Sequence, residues 1–121
     1  WTDDMATFSP DHKEDWKWTL MIMQPDFINT AIVEQAREQL KERKTLPALD
    51  RVRFGLYEDG LCAQVLYVGP YKDETAIIIK LHEFIKEKGY QLSGKHREIY
   101  LNDMRRTAPE KLKTIIRQPV K

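Results

Sequence analysis

Two runs of alternating apolar and polar residues flank an Asp-Gly pair in RVRFGLYEDGLCAQVLYVG, residues 51–69. Gly readily takes the positive φ that a two-residue turn requires, so Asp59-Gly60 predicts a tight hairpin between two antiparallel strands. In the register of that turn, Phe54 and Val65 face each other on one apolar side. That side is suited to a protein core, while the opposite side carries mixed and small residues.

The elements after this predicted hairpin complete a ββαββ unit. A helix is predicted over residues 73–88, with acidic residues near its start and Gly89 as its C-terminal stop. A strand follows around residues 96–102, and the capping box Thr107-Ala108-Pro109-Glu110 opens a single helical turn. An edge-compatible strand is predicted over residues 114–120. The buried stripe of the helix is predicted to consist of Ile77, Ile78, Leu81, Phe84 and Ile85.

An earlier strand and helix precede this unit. Residues 16–24 predict a mostly buried strand, and Asn29 predicts the N-cap of a helix over residues 30–43. The expected core stripe of that helix is Ile32, Val33, Ala36 and Leu40.

A short internal repeat suggests what the earlier strand is. LMIMQP at residues 20–25 and TIIRQP at residues 114–119 are both hydrophobic strands that end in Gln-Pro. We therefore interpret residues 1–45 as the remnant of a first module, its last strand and following helix, and residues 46–121 as a complete second ββαββ module. Because the chain begins with Trp1, we expect it to be a fragment or a processed product.

Composition excludes several classes of function. The chain has 20 basic and 19 acidic residues, interspersed to a net charge of +1, so no direct nucleic-acid binding is expected. No apolar run approaches the length that a membrane span needs, and no membrane contact is predicted. The single cysteine, Cys62, suits a reducing cytoplasm. The three histidines show no metal-ligand spacing with it, so neither a metal nor a cofactor is predicted.

Glu98 interrupts the alternating strand at residues 96–102. Alternate strand residues share a face, so Ile99 and Leu101 are expected to face the helix, and Glu98 and Tyr100 the other side. A carboxylate among aromatic rings could neutralise a cationic ligand, or it could deprotonate a water as a general base. Both alternatives stay open at this point. The aromatic residues on or beside the predicted strands are Trp16, Trp18, Tyr57, Tyr67, Tyr71 and Tyr100.

Three stretches of the chain resemble one family. The segment HREIYLNDMRRTAPEKLKTIIRQPV, residues 96–120, closely resembles the C-terminal signature of gyrase-inhibitor-like (GyrI-like) small-molecule-binding proteins, most of all the stand-alone subgroup. EDGLCAQVLYVGPY at 58–71 and TLMIMQPDFI at 19–28 resemble the family's hairpin and mid-chain strand. The resemblance implies tandem ββαββ (SHS2-type) modules with antiparallel sheets and a ligand cleft between them. The first module would be truncated here, so a second chain or a missing N-terminal segment would complete the cleft.

The resemblance also implies roles for individual residues. Glu98 would be the key glutamate, Tyr100 its neighbour in the motif, and Tyr71 the aromatic residue of the Gly-Pro-Tyr turn. Trp1 and Trp18 fall where related chains carry aromatic residues of the cleft or its strand. Tyr57, on the predicted hairpin, completes the set of candidate ligand-binding residues.

The same resemblance leaves more than one function open. Some family members are effector domains of multidrug-responsive bacterial regulators that bind lipophilic cations. Others resemble hydrolases that open the cyclopropane ring of DNA-alkylating compounds, with the glutamate activating water. We expect binding of hydrophobic, aromatic or cationic small molecules, with the hydrolase as the alternative and inhibition of a protein such as gyrase as a third.

Overall fold

The computed structural model describes residues 17–121, which divide into two compact units. One unit consists of residues 19–58, and the other contains residues 17–18 and 59–121. Within the described range the chain has two α-helices and a three-stranded antiparallel sheet. The predicted α+β class is confirmed.

The sheet is built from β1 (Cys62–Val68), β2 (Arg97–Tyr100) and β3 (Lys113–Pro119), in the order β1-β3-β2. Both pairings are antiparallel. The final strand was predicted as suitable for an edge, but β3 is the central strand. Its burial alternates, and Thr114, Ile116 and Gln118 are buried. A central position suits this strand because its backbone groups find partners on both sides.

The core forms between the sheet and a helix that lies in the same unit, Thr75–Glu87. Numbered in chain order, this helix is α2. The three- and four-residue spacing of its buried side chains places them on one side of the helix. Ala63 and Val65 of β1 are partly buried against this cluster. The buried cluster consists of Ile78, Leu81, Ile85, Ile116 and Val120.

The predicted helix 73–88 is confirmed with small differences at its start and on its stripe. A 3₁₀ turn, Tyr71–Asp73, precedes α2. Gly89 follows its end with φ of +79°, the left-handed conformation expected of a C-terminal glycine. Ile77 is only partly buried, and Phe84 is 48% exposed. Phe84 therefore does not belong to the core.

The hairpin ladder predicted around Asp59-Gly60 does not form. Residues 52–60 contain no strand, and β1 pairs with β3 instead. Gly60 does have the expected positive φ, +66°. The Asp59 carboxylate pairs with Arg97 at 2.9 Å and with Arg117 at 3.2 Å. These ion pairs tie the segment before β1 to the sheet without a backbone ladder.

Along the chain to residue 121, the helix and strands of the unit that contains the sheet therefore come in the order β1, α2, β2 and β3. A short 3₁₀ turn, Pro109–Lys111, lies between β2 and β3, where a single helical turn was predicted. Its N-cap is Ala108, without a side-chain capping bond, so the predicted capping role of Thr107 is wrong. The division into modules at residues 45 and 46 stays a prediction.

The segment predicted as a first strand has no strand structure between residues 17 and 25. Its apolar side chains are largely exposed, with Ile22 at 77% and Met23 at 96%. A strand is stabilised by a neighbouring ladder and by a covered apolar face. Within the described range, this segment is part of no ladder.

The helix that follows, α1 (Thr30–Arg43), begins where it was predicted. The side chain of Asn29 accepts a hydrogen bond from the backbone amide of Ile32 at 3.1 Å, which confirms the N-cap. The predicted core stripe is not buried, because Ile32 and Leu40 are each 41% exposed. None of the helices described between residues 17 and 121 combines the length and the apolar character that crossing a membrane requires.

The packing of α2 on the sheet leads to a stability prediction. Ile85 is 2% exposed, whereas Ile79 of the same helix is 52% exposed. We expect Ile85→Ala to lower the free energy of unfolding by about 2–4 kcal/mol, because it leaves a cavity in the core. The control Ile79→Ala should change it by less than about 1 kcal/mol. Urea unfolding followed by circular dichroism measures both, and equal losses would contradict the described core.

Candidate functional site

The register of the sheet determines which face Glu98 occupies. Directly opposed residues of antiparallel strands point to the same face, and Glu98 is opposed to Ile116 while Tyr100 is opposed to Thr114. Ile116 belongs to the cluster packed against α2, and Thr114 is fully buried on the same side of β3. Glu98 and Tyr100 therefore lie on the face that α2 covers.

This finding reverses the predicted faces of β2. The sequence pattern favoured Ile99 and Leu101 as the residues turned towards the helix. In the structure Leu101 lies beyond the end of β2 and is 51% exposed, and Ile99 is only partly buried. The pairing of β2 with β3 determines which face Glu98 occupies, because Glu98 is directly opposed to the buried Ile116.

The Glu98 carboxylate has a neighbour at each oxygen. The Tyr100 hydroxyl donates a hydrogen bond to Oε2 at 2.7 Å, within the range of short charge-assisted bonds. His96 Nε2 lies 3.5 Å from Oε1, a separation that becomes an ion pair when the imidazole is protonated. The side chains of His96 and Glu98 are 9% and 17% exposed. The carboxylate is thus largely withdrawn from water and held in one orientation.

Two tyrosine rings form the aromatic part of the site. The centroids of Tyr71 and Tyr100 lie 5.1 Å apart, with the ring planes inclined at 56°. This tilted arrangement is one that aromatic pairs favour. Tyr100 itself is 53% exposed, so its ring presents surface to solvent while its hydroxyl contacts the carboxylate.

The turn that carries Tyr71 requires a glycine. Gly69 has φ of +151°, and a Cβ added to it would lie 2.5 Å from the Tyr67 hydroxyl. That hydroxyl donates a hydrogen bond to the carbonyl of Pro70 at 3.1 Å. The Gly-Pro-Tyr turn is therefore packed against Tyr67 of β1. This packing fixes the position of the backbone from which the Tyr71 ring extends.

Burial and nearby negative charge raise the pKa of both tyrosine hydroxyls. Burial raises the pKa of Tyr100, and its hydrogen bond to Glu98 raises this pKa further. Burial also raises the pKa of Tyr71, followed by the charges of Glu74 and Glu98. A tyrosine hydroxyl is protonated at neutral pH even at its ordinary pKa of about 10, so both hydroxyls can donate hydrogen bonds.

Glu74 is a second buried carboxylate that the sequence analysis did not single out. It is 4% exposed and occupies the N-cap position of α2. The signal was present in the sequence, because positions 74, 78, 81 and 85 follow the same helical spacing, and the last three are core residues. An acidic residue on a buried stripe indicates a polar site at the end of the core.

His96 lies beside Glu98, and a second histidine, His82, interacts electrostatically with His96. His82 is on α2, and its Nε2 is buried without a hydrogen-bond partner among the described residues. Burial lowers the pKa of His82, and the neighbouring His96 lowers it further. Neither histidine shows metal-ligand spacing in the sequence. Among residues 17–121, no group of three or more His, Cys, Asp or Glu side chains is arranged to hold a metal ion.

The structure brings together three of the six predicted site residues. Glu98, Tyr71 and Tyr100 lie in one cluster. Trp18 is 76% exposed, and Tyr57 is 57% exposed in the unit of residues 19–58. Trp1 lies outside the described residues.

The cluster offers two kinds of chemistry. A withdrawn carboxylate beside electron-rich rings can neutralise a cation, whose attraction to the ring faces adds to the charge interaction. The same carboxylate can also take a proton from a water, provided that the water is held within hydrogen-bond distance.

Comparisons with known proteins place this site in context. The family model described as the GyrI-like small molecule binding domain matches residues 22–121. A crystal structure of an uncharacterized conserved protein from Listeria innocua is 34% identical with a TM-score of 0.88, and the match covers 100% of this chain and 60% of that one. A search of curated proteins finds no significant match.

Two further solved structures from Listeria innocua are described as hydrolases. The first is 35% identical with a TM-score of 0.69, and the match covers 81% of this chain and 52% of that one. The second is 35% identical with a TM-score of 0.68, and the match covers 81% and 50%. This chain therefore spans between half and three-fifths of the length of these structures.

The partly buried His82 of α2 leads to a prediction about acid stability. The pKa of His82 lies below its ordinary value of 6.5, so the unfolded chain binds this proton more readily than the folded one. The resulting stability is present above that ordinary value and is lost as the pH falls below it. We expect the wild type to be less stable at about pH 5 than at about pH 7.5, and His82→Gln to reduce this difference. Urea unfolding at both pH values tests this, and an unchanged difference in the variant would contradict it.

Proposed function

The chain belongs to the GyrI-like small-molecule-binding domain family, and from this membership we propose that it binds hydrophobic, aromatic or cationic small molecules at the Glu98 cluster. In this proposal the Glu98 carboxylate is the counter-charge, and the rings of Tyr71 and Tyr100 form the apolar wall. The ligand class is our inference from the chemistry of these side chains.

One observation carries the proposal: a carboxylate that is 17% exposed lies against a pair of tyrosine rings. Removing a carboxylate from water is unfavourable unless hydrogen bonds or an opposite charge compensate it. Tyr100 supplies one hydrogen bond. An organic cation would be attracted by the Glu98 carboxylate, and its apolar groups would cover the exposed part of the Tyr100 ring.

The size of the matched proteins supports a larger binding site than this cluster. The first Listeria innocua protein is longer, since the match covers 60% of it. We propose that the ligand occupies a cleft between modules, and that a further module or a second chain supplies the opposite wall. Trp1, Trp18 and Tyr57 remain proposed contributors to such a cleft.

A second candidate function is hydrolysis of cyclopropane-containing DNA-alkylating compounds. The observation that favours it is the similarity, at 35% identity, to two structures described as hydrolases. Glu98 would take a proton from water while the water oxygen bonds to a ring carbon. The strained carbon–carbon bond of the cyclopropane then breaks, and its electron pair moves into the conjugated acceptor of the substrate. The proton that Glu98 took from water is finally transferred to this acceptor. This reaction needs a positioned water in addition to the pocket.

The binding proposal is tested by replacing Glu98. We expect Glu98→Gln to weaken binding of N,N,N-trimethylanilinium by about tenfold or more, because the counter-charge is lost while the shape is kept. Binding of tert-butylbenzene, a neutral molecule of the same shape, should change little. Isothermal titration calorimetry measures both affinities.

The matched control is Glu83→Gln, which removes an exposed carboxylate from α2. It should leave both affinities unchanged. Equal cation binding by wild type and Glu98→Gln would refute the role of Glu98 as counter-charge.

The hydrolase alternative makes a separate prediction. If it is correct, the wild type consumes a cyclopropane-containing alkylating compound, and Glu98→Gln slows turnover by about 100-fold or more while the compound still binds. Mass spectrometry of the products detects addition of one water. Absence of turnover by the wild type would eliminate this alternative and leave binding.

A further inference from the structure

The two edges of the sheet differ in how they are protected against pairing with another chain. β2, at one edge, has four residues, and two of them, Arg97 and Glu98, are charged. β1, at the other edge, has seven residues, CAQVLYV, without a charge, a proline or a glycine. Edge strands usually avoid pairing through short length, charge or proline. β1 has none of these protections.

The backbone of β1 has hydrogen-bonding groups on its outer side. In an antiparallel strand the N–H and C=O of one residue point to the same side, and the side alternates along the strand. The Leu61 carbonyl accepts from the Val120 amide at 2.9 Å, so the odd-numbered residues bond to β3. Within residues 17–121, no strand pairs with the outer side of β1. The residues whose backbone groups point outward are Cys62, Gln64, Leu66 and Val68.

The same alternation explains why the predicted two-residue hairpin does not form. Such a hairpin closes with hydrogen bonds between Glu58 and Leu61, which flank Asp59-Gly60. The Leu61 carbonyl is directed to β3 instead. The Asp59 carboxylate is also drawn towards the other two strands, through its ion pairs with Arg97 of β2 and Arg117 of β3. The chain therefore does not turn tightly back along the outer side of β1.

The segment before this turn, residues 53–58, has the sequence pattern of a strand. Its apolar residues Phe54 and Leu56 alternate with other residues, and they are 39% and 107% exposed. None of residues 53–58 belongs to a strand in the described part of the chain. Each copy of the chain therefore carries an open strand edge and a segment with a strand pattern that its own tight turn does not bring to that edge.

An apolar flank of α2 lies on the side of the open edge. Ile77 packs against the core cluster together with Val65 of β1. Phe84 follows two helical turns later on the same side of α2, and it is 48% exposed. The other flank is the one near β2, because His82 interacts electrostatically with His96, which directly precedes that strand. Apolar side chains of a strand added at β1 would therefore pack beneath Ile77 and Phe84.

The segment fits this position in register. When Phe54 is opposed to Val65, both Phe54 and Leu56 lie on the face that α2 covers, because directly opposed residues share a face. The same register opposes Arg53 to Leu66, whose backbone groups point outward and can exchange hydrogen bonds with it. One register thus pairs the open edge and covers the exposed flank of α2.

We propose that residues 53–58 of a second copy of this chain pair antiparallel with the outer side of β1, and that two copies exchange these segments reciprocally. A two-fold axis closes the exchange, so both β1 edges are covered and no further copy is added. A second copy is the matching partner because every copy carries both the open edge and the segment that fits it. Glu98 lies on β2, at the other edge of the sheet, so this inference goes beyond the proposed function and does not depend on the ligand.

The mass in solution, measured by size-exclusion chromatography with light scattering, tests the open edge. We expect the wild type to be a dimer, with twice the 14.4 kDa of one chain. Leu66→Pro removes an outward-pointing N–H and leaves the pairing of β1 with β3 in place, so it should be a monomer with the circular dichroism of the wild type. The control Leu66→Ala keeps this N–H and should stay dimeric. A wild type that is monomeric at every concentration measured would overturn the proposal.

The same measurement tests the donated segment. Phe54→Asp places a charge where the proposed strand enters beneath α2, and we expect a monomer. Met23→Asp is the matched control, because it adds the same charge at a side chain that is 96% exposed, and it should stay dimeric. A dimer that persists in Phe54→Asp would overturn the exchange of residues 53–58.

Crosslinking between two differently substituted chains keeps the proposal testable if Leu66→Pro does not fold. One chain carries Arg53→Cys and the other Leu66→Cys, both together with Cys62→Ser. Opposed residues that exchange hydrogen bonds have Cα atoms about 5.5 Å apart, which suits a disulfide. We expect the mixed chains to form a covalent dimer on mild oxidation. The control replaces Leu66→Cys by Leu101→Cys, which lies 51% exposed beyond the end of β2, and it should form none.

The crosslinking outcomes distinguish this exchange from other pairings. A mixture of the first two chains that forms no covalent dimer would overturn the proposal. A covalent dimer formed by the Leu66→Cys chain alone would show that two β1 strands pair with each other, and it would overturn the proposal as well. Glu98→Gln should remain dimeric, so the proposed binding function can fail while this inference stands.

Discussion

The pairing of β2 with β3 is the constraint on which the candidate site depends. β3 is central, and its buried residues point to the face that α2 covers. Because Glu98 is opposed to Ile116 in this register, its carboxylate shares a face with the most deeply buried isoleucine of the sheet. A shift of one residue would turn every side chain of β2 to the other face. This register therefore places the Glu98 carboxylate on the covered face of the sheet, where it is largely shielded from water.

The position of that carboxylate relative to the core explains its chemistry. The apolar cluster between α2 and the sheet includes Ile116, which is directly opposed to Glu98. Tyr100 compensates part of the burial of Glu98 through a hydrogen bond of 2.7 Å, and burial together with this bond raises the pKa of Tyr100. The contact thus sets a hydroxyl donor against a carboxylate acceptor, and it orients both side chains.

Local signals predicted α2, the N-cap of α1 and the strand at the end of the chain, because spacing and capping chemistry act within a few residues. The strand pattern and the aromatic content also indicated Glu98, Tyr71 and Tyr100 as candidate site residues, and their roles stay a prediction. The faces of β2 could not be predicted in the same way, since its short apolar alternation fits either side and pairing with β3 decides between them. The same reason applies to residues 52–60, where a turn glycine with the expected φ is not followed by a ladder. Glu74 was overlooked because an acidic residue near a helix start is ordinarily explained by the helix dipole.

The helical spacing of positions 74, 78, 81 and 85 connects the site to the stability of the unit. Ile78, Leu81 and Ile85 are core residues, and Glu74 lies on the same stripe one turn earlier. The helix that holds the sheet together therefore also positions one of the two carboxylates. A ligand held by Glu98 and the two tyrosine rings would need the pairing of β2 with β3, so it would bind the folded chain but not the unfolded one. Its binding free energy would then add to the stability of the fold, and packing of the sheet and ligand recognition would be coupled through β3.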